Sequence, residues 1–351
     1  MRWLTKFLFK DITLSISVFF LLITSVVILG SLDKTLFPLY YLYIFFALVI
    51  FLLFSMVDFD IISLFSKHLY IGSVLFLAIT LILGQVTRNT VRWIQIGPTT
   101  LQPAELVRPF LIIFFANYLG KGEVTFRKFA KGLGLLAIPV VLILIQPSLG
   151  VSILTIVGFV GVLLASKFNK KFLLVGVLIC IAAAPIAWNI LAPYQKERIT
   201  TFLEPTKDPH GSGYNSIQAT IAAGSGRIFG SGLGKGTQTQ LAFLPEKQTD
   251  FVFAATAEEL GIVGAGLVLL ASFLILLRIT AFMEHSASPS ARAYLSGFFL
   301  TYLVQLFTHV GMNMGMLPIT GLPFPLLSAG GSSLLATMMG LGIALGAYKK
   351  S

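Results

Sequence analysis

The sequence is poor in charge and in cysteine, and each shortage excludes a class of protein. Only 11% of the residues are Asp, Glu, Lys or Arg, whereas soluble domains carry about 25%. The single cysteine, Cys180, excludes an internal disulfide framework and a cysteine-based metal cluster. The four histidines are scattered along the chain without metal-ligand spacing. The sequence therefore predicts neither a soluble domain nor a metal site.

Long apolar runs are abundant instead. Hydrophobic residues make up 56% of the chain and the mean hydropathy is +0.90. In a membrane the backbone must satisfy its own hydrogen bonds, and unbroken runs such as residues 12–30 and 172–191 favour helices over a barrel. We expect one all-α polytopic membrane domain over residues 1–351, with about ten transmembrane helices. They are expected to begin near Ile12, Leu39, Tyr70, Ala104, Gly132, Gly150, Phe172, Phe251, Ala293 and Leu326.

The net charge of +11 would suggest nucleic acid in a soluble protein, but in this chain it indicates membrane orientation. An even number of spans puts both termini on one side, and the segments on that side hold 15 of the 25 Lys and Arg residues. Six of the nine on the other side lie in one long segment, where the positive-inside rule has little force. We therefore expect cytoplasmic N- and C-termini and no nucleic-acid partner.

Three polar or glycine-rich segments interrupt the apolar pattern, at residues 85–103, 192–250 and 313–325. Irregular backbone beside a membrane persists where it packs on protein or lines a wet cavity. Residues 192–250 are expected to form a large extracytoplasmic loop between the seventh and eighth helices. A loop of this length is functional or disordered, and its regularly spaced apolar residues indicate order.

Few charged residues lie within or beside the predicted spans, and such charges mark functional sites by default. Glu105 and Arg108 are three apart and share a helix face, which suits a structural ion pair as well as a catalytic pair. Asp250 precedes the eighth helix, either as a catalytic carboxylate or as an N-cap. Glu258 and Glu259 are expected to bond to a neighbouring helix or loop.

The glycine-rich stretch at residues 224–237 has the look of a phosphate loop but does not fit the P-loop template. Phe229 occupies the position of the first glycine, and Gly236 follows Lys235 where Ser or Thr belongs. A nucleotide site is therefore not predicted. The glycines and basic residues would still suit an anionic head group.

Six motifs, taken together and in order, resemble the SEDS family (shape, elongation, division and sporulation), which includes RodA, FtsW and SpoVE. The resemblance runs from the first helix to the last. The motifs are RWIQIG at 92–97, LQPAELVR at 101–108, GSGYNSIQATIAAGSG at 211–226, GTQTQLAFLPEKQTDFVFA at 236–254, AEELGIVG at 257–264 and MLPITGLPFPLLSAGGSS at 316–333.

This resemblance implies a peptidoglycan glycosyltransferase that polymerises lipid II at the outer face of the bacterial cytoplasmic membrane. The essential aspartate of the family falls on Asp250, and its acidic and basic helix-four positions fall on Glu105 and Arg108. An inverting displacement needs a carboxylate base for the acceptor hydroxyl and cations for the departing pyrophosphate. Expected substrate contacts are Arg92, Gln102, Lys235, Gln238, Lys247, Thr249 and Ser332. No cofactor is expected with certainty, and a divalent Mg or Mn ion is left open.

The chain departs from the usual family pattern at five positions. Arg108 replaces Lys, which keeps the charge but changes the donor geometry. The others are Ala104 for Ser, Gln248 for His, His309 for Asn and Ala329 for Tyr.

Two details favour an elongation role of the RodA type over an FtsW-type division role: the GLPFP sequence with Pro323, and Ala257 in AEELG. The resemblance also implies a class B penicillin-binding transpeptidase as partner, within a cell-elongation complex and among membrane lipids. A lipid II flippase or transporter and a non-catalytic scaffold are the alternative functions. The outer placement of the charges favours surface chemistry over transport.

Overall fold

The computed structural model describes residues 11–83, 85–87, 90–97, 99–171, 188–189, 193–204, 212–286 and 288–348. The span expected to begin at Phe172, and Cys180 within it, lie outside the described residues. The described part is mostly helical, and five of its helices are long and apolar enough to cross a membrane. The chain is therefore a multi-pass membrane protein. The predicted total of about ten spans stays a prediction.

The five long helices are α1 (Ile12–Leu32), α2 (Leu39–Met56), α7 (Phe126–Ile145), α12 (Val252–Glu284) and α13 (Pro289–Asn313). Three shorter apolar helices accompany them: α4 (Ser66–Leu83), α8 (Leu149–Ala165) and α14 (Gly331–Ala347). The remaining helices are α3 (Phe59–Leu64), α5 (Pro103–Leu106), α6 (Arg108–Gly120), α9 (Pro193–Leu203), α10 (Ser212–Ser225) and α11 (Thr237–Gln240), with a 3₁₀ turn at Lys34–Leu36.

Most predicted helix starts lie within one residue of the observed ones. The helices expected at Tyr70 and Ala293 begin four residues earlier, at Ser66 and Pro289, and two further starts differ for identifiable reasons. The helix expected at Gly132 begins at Phe126, because Thr125 caps it and its basic first turns extend beyond the apolar run. It continues through Pro139 for 20 residues, which is long enough to cross a membrane. The helix expected at Leu326 begins only at Gly331, because residues 324–330 are held in a non-helical segment described below.

A small antiparallel sheet corrects the all-α prediction. Strands β1 (Gln85–Thr87), β2 (Thr90–Ile96) and β3 (Thr99–Leu101) pair in the order β1-β2-β3. The β2 sequence TVRWIQI is rich in β-branched and aromatic residues, which suit a strand. Apolar hydropathy alone did not distinguish this strand from a polar connection.

The helices cross between two ends of the bundle, which we name the Asp11 end and the Asp250 end. Helices α1 and α12 are antiparallel, and one contact between them lies at each end of the bundle. At one, Arg278 Nε donates to Asp11 Oδ2 at 2.8 Å. At the other, Ser31 Oγ donates to the Glu259 carboxylate. The side chains that the sequence marks as functional lie towards the Asp250 end.

Helix α14 is buried along its whole length and forms the centre of the bundle. Gly342 and Gly346 are four residues apart and face α2, where added Cβ atoms would lie 2.7 Å from the Phe51 carbonyl oxygen and 2.5 Å from that of Val57. Small residues at this spacing let membrane helices approach closely. The contact fixes α14, and with it the non-helical segment that precedes it.

Helix α12 is broken at Gly261, whose φ of 68° and ψ of −169° are not helical. Residues 226–236, which we name the inserted loop, fill the break. Ser231 N donates to Glu258 O at 2.9 Å, and Ile262 N donates to Arg227 O at 2.9 Å. The loop backbone thus replaces hydrogen bonds that the helix loses at the break.

Candidate active site

Asp250 lies just before α12, half-buried, with its carboxylate beside a loop from the far end of the chain. That loop comprises residues 314–330, which we name the Gly-Pro segment. A Cβ placed on Gly321, which has a φ of +70°, would lie 3.6 Å from Asp250 Oδ2. Glycine suits this position because the backbone is left-handed there.

The Gly-Pro segment is tied directly to the residues preceding Asp250. Ser328 Oγ donates to Thr249 O at 2.7 Å and accepts from Phe324 N at 2.8 Å. Ala329 N donates to Gln248 O at 2.9 Å. Gln248 and Ala329, two of the departures from the family pattern, are therefore joined through their backbones, where their side-chain identities do not affect the bond.

Asn313, at the end of α13, caps helix α12. The sequence predicts this capping role for Asp250, as the alternative to a catalytic role. The N-cap residue of α12 is Phe251, which makes no side-chain cap bond. Asn313 Oδ1 accepts from Ala254 N at 2.9 Å, and Asn313 Nδ2 donates to Asp250 O at 3.0 Å. The N-cap position of α12 is therefore Phe251 rather than Asp250, and the cap bond comes from Asn313.

Arg108 is buried and connects to the Gly-Pro segment through Gln305 of α13. Its Nη2 donates to Gln305 Oε1 at 3.1 Å, and Gln305 Nε2 donates to Pro323 O at 2.9 Å. The Arg108 Nη1 atom is buried without a hydrogen-bond partner. Glu105, also buried, interacts electrostatically with Arg108 and with Arg92. The sequence pair is thus part of a wider network that reaches the same loop as Asp250.

Gln102 and Ser332 are buried and bonded to each other. Gln102 N donates to Ser332 Oγ at 2.7 Å, and Gln102 Nε2 donates to Ser148 Oγ at 3.1 Å. These bonds join the start of α5 to the starts of α14 and α8. The expected contact of Gln102 and Ser332 with substrate stays a prediction.

A third group surrounds the short helix α11. The Glu258 carboxylate accepts from Gln238 N at 2.8 Å and from Thr239 N at 3.0 Å. Glu259 accepts from Gln240 Nε2 at 3.1 Å. Both glutamates therefore bond to a neighbouring loop or helix, as expected. Lys247 Nζ donates to Thr239 O, which ties the approach to Asp250 to the same group.

The other predicted contacts lie at the surface or part-buried. Lys235 is exposed on the inserted loop. Arg92, on β2, is half-buried and its guanidinium carbon lies 5.9 Å from the centre of the Trp93 ring. The Thr249 hydroxyl donates to Glu246 Oε2 at 3.1 Å. The structure thus gathers Asp250, Thr249 and, through Gln305, Arg108 around the Gly-Pro segment.

The sequence reasoning missed three residues of this site. Asn313 and Gln305 are polar residues in an apolar helix, a pattern that marks interhelical bonds in membranes and could have identified them. Arg198 of α9 is exposed and donates from Nη1 to Ile319 O at 3.1 Å. Nothing in the local sequence of α9 marks that contact, because its partner is a backbone atom far along the chain.

Within the described ranges, no three His, Cys, Asp or Glu side chains are grouped as metal ligands. His309 is buried, with Nδ1 2.7 Å from Leu322 O and Nε2 without a hydrogen-bond partner. Its role in the described structure is to hold the Gly-Pro segment against α13.

Comparison with known proteins agrees with these motifs. The cell cycle protein family of FtsW, RodA and SpoVE matches residues 3–351. The chain is 35% identical over 283 residues to the peptidoglycan glycosyltransferase MrdB of Escherichia coli K12, covering 80% of this chain and 76% of that one. It is 36% identical over 288 residues to the probable peptidoglycan glycosyltransferase FtsW of Idiomarina loihiensis, covering 80% and 69%.

Two solved structures share the fold. A chain of a peptidoglycan synthase complex that coordinates polymerisation and crosslinking has a TM-score of 0.82 and 31% identity, covering 95% of this chain and 96% of that one. The rod shape determining protein RodA of Thermus thermophilus has a TM-score of 0.73 and 27% identity, covering 97% and 98%. With the motifs around Asp250, these matches show that the chain belongs to the FtsW, RodA and SpoVE family of cell cycle proteins.

Proposed function

We propose that this chain is a peptidoglycan glycosyltransferase that polymerises lipid II, with Asp250 as the general base. The observation that carries the proposal is the Asp250 carboxylate, which faces the Gly-Pro segment while its backbone is held by Asn313. The similar proteins MrdB and FtsW are named a peptidoglycan glycosyltransferase and a probable one. A carboxylate within hydrogen-bond reach is the group that takes the proton of an acceptor hydroxyl.

The proposed reaction is a single inverting displacement. Asp250 takes the proton of the acceptor sugar 4-hydroxyl, whose oxygen forms the new glycosidic bond at C1 of the donor. The C1–oxygen bond to the pyrophosphate breaks, and undecaprenyl pyrophosphate leaves with the bonding electrons. Negative charge grows on that leaving group, so cations beside it stabilise the transition state.

We assign the stabilisation of the leaving pyrophosphate mainly to Arg108. Additional positive charge is assigned to Lys235, Lys247 and Arg92. Arg108 is the best supported, because its Nη1 is buried without a protein partner while Nη2 is fixed on Gln305. Glu105 would then hold the guanidinium electrostatically. Arg198, exposed beside Ile319, is a further cation at the edge of the same segment.

The proposed site lies on the outer face of the bacterial cytoplasmic membrane, where lipid-linked substrate is polymerised. The connections at the Asp11 end hold a cluster of basic residues, which the positive-inside rule assigns to the cytoplasm. This leaves the Asp250 end outside. The basic residues are Lys121, Arg127, Lys128, Lys131, Lys167, Lys170 and Lys171.

We further propose an elongation role with a class B penicillin-binding transpeptidase as partner. Pro323 in GLPFP and Ala257 in AEELG support the elongation type. The solved neighbour from a complex that coordinates polymerisation and crosslinking supports a partner of that class.

The break at Gly261 is the one observation that favours transport, because broken helices are typical of transporter sites near the membrane midplane. The break does not lie at the midplane, however. Glu259, two residues before the break, bonds to Ser31 at the far end of α1. The 21 residues of α1 are about 32 Å long at about 1.5 Å per residue, enough to cross about 30 Å of hydrocarbon. The position of the break near one membrane face supports the enzyme over the flippase.

The test is polymerisation of labelled lipid II by the purified chain with its cognate transpeptidase, in reactions with Mg²⁺, with Mn²⁺ and with a chelator. Wild type is expected to give polymer, and Asp250→Asn none. Asp60→Asn makes the same chemical change at the Asp11 end and is expected to retain activity. Equal polymer from wild type and Asp250→Asn would refute the base assignment. Translocation of lipid II by vesicles without any polymer would favour the flippase.

A further inference from the structure

The inserted loop carries an apolar tip that faces away from the described part of the protein. Ile228 and Phe229 are 59% and 80% exposed, and Leu233 is 47% exposed. Side chains this apolar are costly to expose to water, at about 25 cal/mol for each Å² of apolar surface. The tip directly adjoins Ile262 and Val263 of α12, which are 70% and 46% exposed. Loop and helix thus present one continuous apolar surface.

The break in α12 sets the depth of this tip. Helix α1 is long enough to cross the hydrocarbon layer, and its two ends bond to Arg278 and Glu259 of α12. The exposed face of α12 between them is apolar, with Leu267, Leu270, Phe273 and Leu277 between 45% and 54% exposed. Gly261 therefore lies at the boundary of the layer on the Asp250 side. Because Ile262 N and Val263 N bond to the carbonyl groups of Arg227 and Ile228, the tip lies at that same boundary.

The backbone of the inserted loop can lie at the boundary of the hydrocarbon layer because the protein satisfies its hydrogen bonds. Irregular backbone is stable near hydrocarbon only when protein satisfies its donors and acceptors. Gly230 N donates within the loop to Gly226 O at 2.8 Å, and Gly232 N donates to Glu259 O at 3.0 Å. A Cβ on Gly230 would lie 2.2 Å from the same Glu259 oxygen, so glycine permits the contact.

Arg227 supplies the polar part of the surface. It is exposed and immediately precedes the two apolar residues of the tip. A guanidinium pairs in bidentate fashion with phosphate, and long basic side chains at a membrane boundary extend their charge into the head-group layer. Exposed apolar residues beside an exposed cation match the chemistry of an anionic phospholipid leaflet.

We propose that the inserted loop is a membrane anchor: Phe229 and its apolar neighbours enter the leaflet on the Asp250 side, and Arg227 binds phospholipid phosphate. Through the carbonyl groups of Glu258 and Glu259 the anchored loop is joined to α12, and the Glu258 carboxylate holds α11. The bilayer thereby fixes the depth of the chain that leads to Asp250. This inference does not depend on the reaction that Asp250 performs.

The test measures the depth of position 229 in vesicles of phosphatidylethanolamine and phosphatidylglycerol. Phe229→Cys in a Cys180→Ser background carries a nitroxide, and its collision rates with oxygen and with a water-soluble nickel chelate are compared. Phe273→Cys provides the lipid-facing reference and Glu197→Cys, on the exposed face of α9, the aqueous one. Each variant must remain monodisperse in gel filtration.

The expected oxygen-to-nickel ratio at position 229 is well above that at 197 and approaches that at 273. A ratio equal to that at 197 would overturn the proposal, since the tip would then lie in water. Low collision rates with both reagents would also overturn it, because protein rather than lipid would cover the tip.

The charge is tested separately with Arg227→Gln in the same labelled background. In the parent, adding phosphatidylglycerol to neutral vesicles is expected to deepen the label and raise its ratio. In Arg227→Gln that response is expected to be lost while the neutral-vesicle value stays. An undiminished response would refute the role of Arg227.

Discussion

At the two ends of the bundle, the free backbone N–H groups of the helix N-termini find their hydrogen-bond acceptors in different ways. At the Asp11 end, α1, α3, α7 and α13 are capped by the residue immediately before each helix: Asp11, Asp58, Thr125 and Ser288. At the Asp250 end, the residues preceding α5, α8, α11, α12 and α14 make no side-chain cap bond. Two of these helices are instead capped from a distance, α11 by Glu258 and α12 by Asn313.

The local caps at the Asp11 end therefore belong to a structural scaffold, and the distant caps at the Asp250 end belong to the candidate site. A local cap costs little to form, because the two partners are already neighbours in the chain. A distant cap forms only when the whole bundle is assembled, and so it fixes the relative positions of remote segments. The Asp250 end contains the side chains proposed for chemistry, where such positioning decides activity. The predictions below test whether this contrast holds.

The largest effect is expected for Gly261→Ala, which should expel the inserted loop. A Cβ at this position would lie 2.4 Å from Gly230 N and from Ile228 O, in backbone with positive φ. We expect the unfolding free energy to fall by more than about 4 kcal/mol, the range of severe substitutions. The measurement is thermal unfolding followed by tryptophan fluorescence in detergent.

Gly134→Ala is the matched control, because a Cβ there meets nothing within 4 Å on α7. In a regular helix the change should be neutral or stabilise by up to about 1 kcal/mol. If both variants unfolded at the wild-type temperature, the break would not depend on glycine and the close approach described here would be wrong.

Glu258→Ala is expected to have the next largest effect. It removes the buried acceptor of Gln238 N and Thr239 N, and each buried amide left without a partner costs about 1–3 kcal/mol. Glu258→Gln keeps one acceptor oxygen, so its loss should be smaller. An Ala variant as stable as the Gln variant would show that the carboxylate does not hold α11.

The sequence predicts the positions of the apolar helices better than it predicts the contacts between distant segments. Apolar runs located α1, α2, α8 and α12 to within a residue, because burial in lipid depends on composition alone. Charge scarcity marked Glu105, Arg108 and Asp250. Polarity could have marked Asn313 as an interhelical contact, but not its partners Ala254 and Asp250, because they lie about sixty positions away in the chain. The inserted loop was also missed, since only the close backbone contacts of Gly230 and Gly261 show it.

Asn313→Ala is expected to lower both stability and polymerisation. It loses the bonds to Ala254 N and Asp250 O and a third, within α13, to His309 O, for a cost of about 2 kcal/mol. Asn117→Ala, at the Asp11 end, removes an Asn that makes two bonds, to Ser63 O and Ser66 Oγ. It should lose similar stability but keep its turnover per folded molecule. Equal turnover losses in the two variants would remove the distinction between the ends.

The smallest effect is expected at a local cap. Thr125 Oγ1 accepts from Lys128 N at 3.3 Å on an exposed turn, so Thr125→Ala should cost about 1 kcal/mol, and Thr125→Gly slightly less. Polymerisation per folded molecule should equal that of wild type in both variants, because the bond joins neighbours and positions nothing at the Asp250 end. Thermal unfolding and the lipid II assay measure the two quantities separately. A turnover loss larger than that of Asn313→Ala would mean that the Asp11 end positions the site as strongly as the distant caps, and the contrast between the two ends would fail.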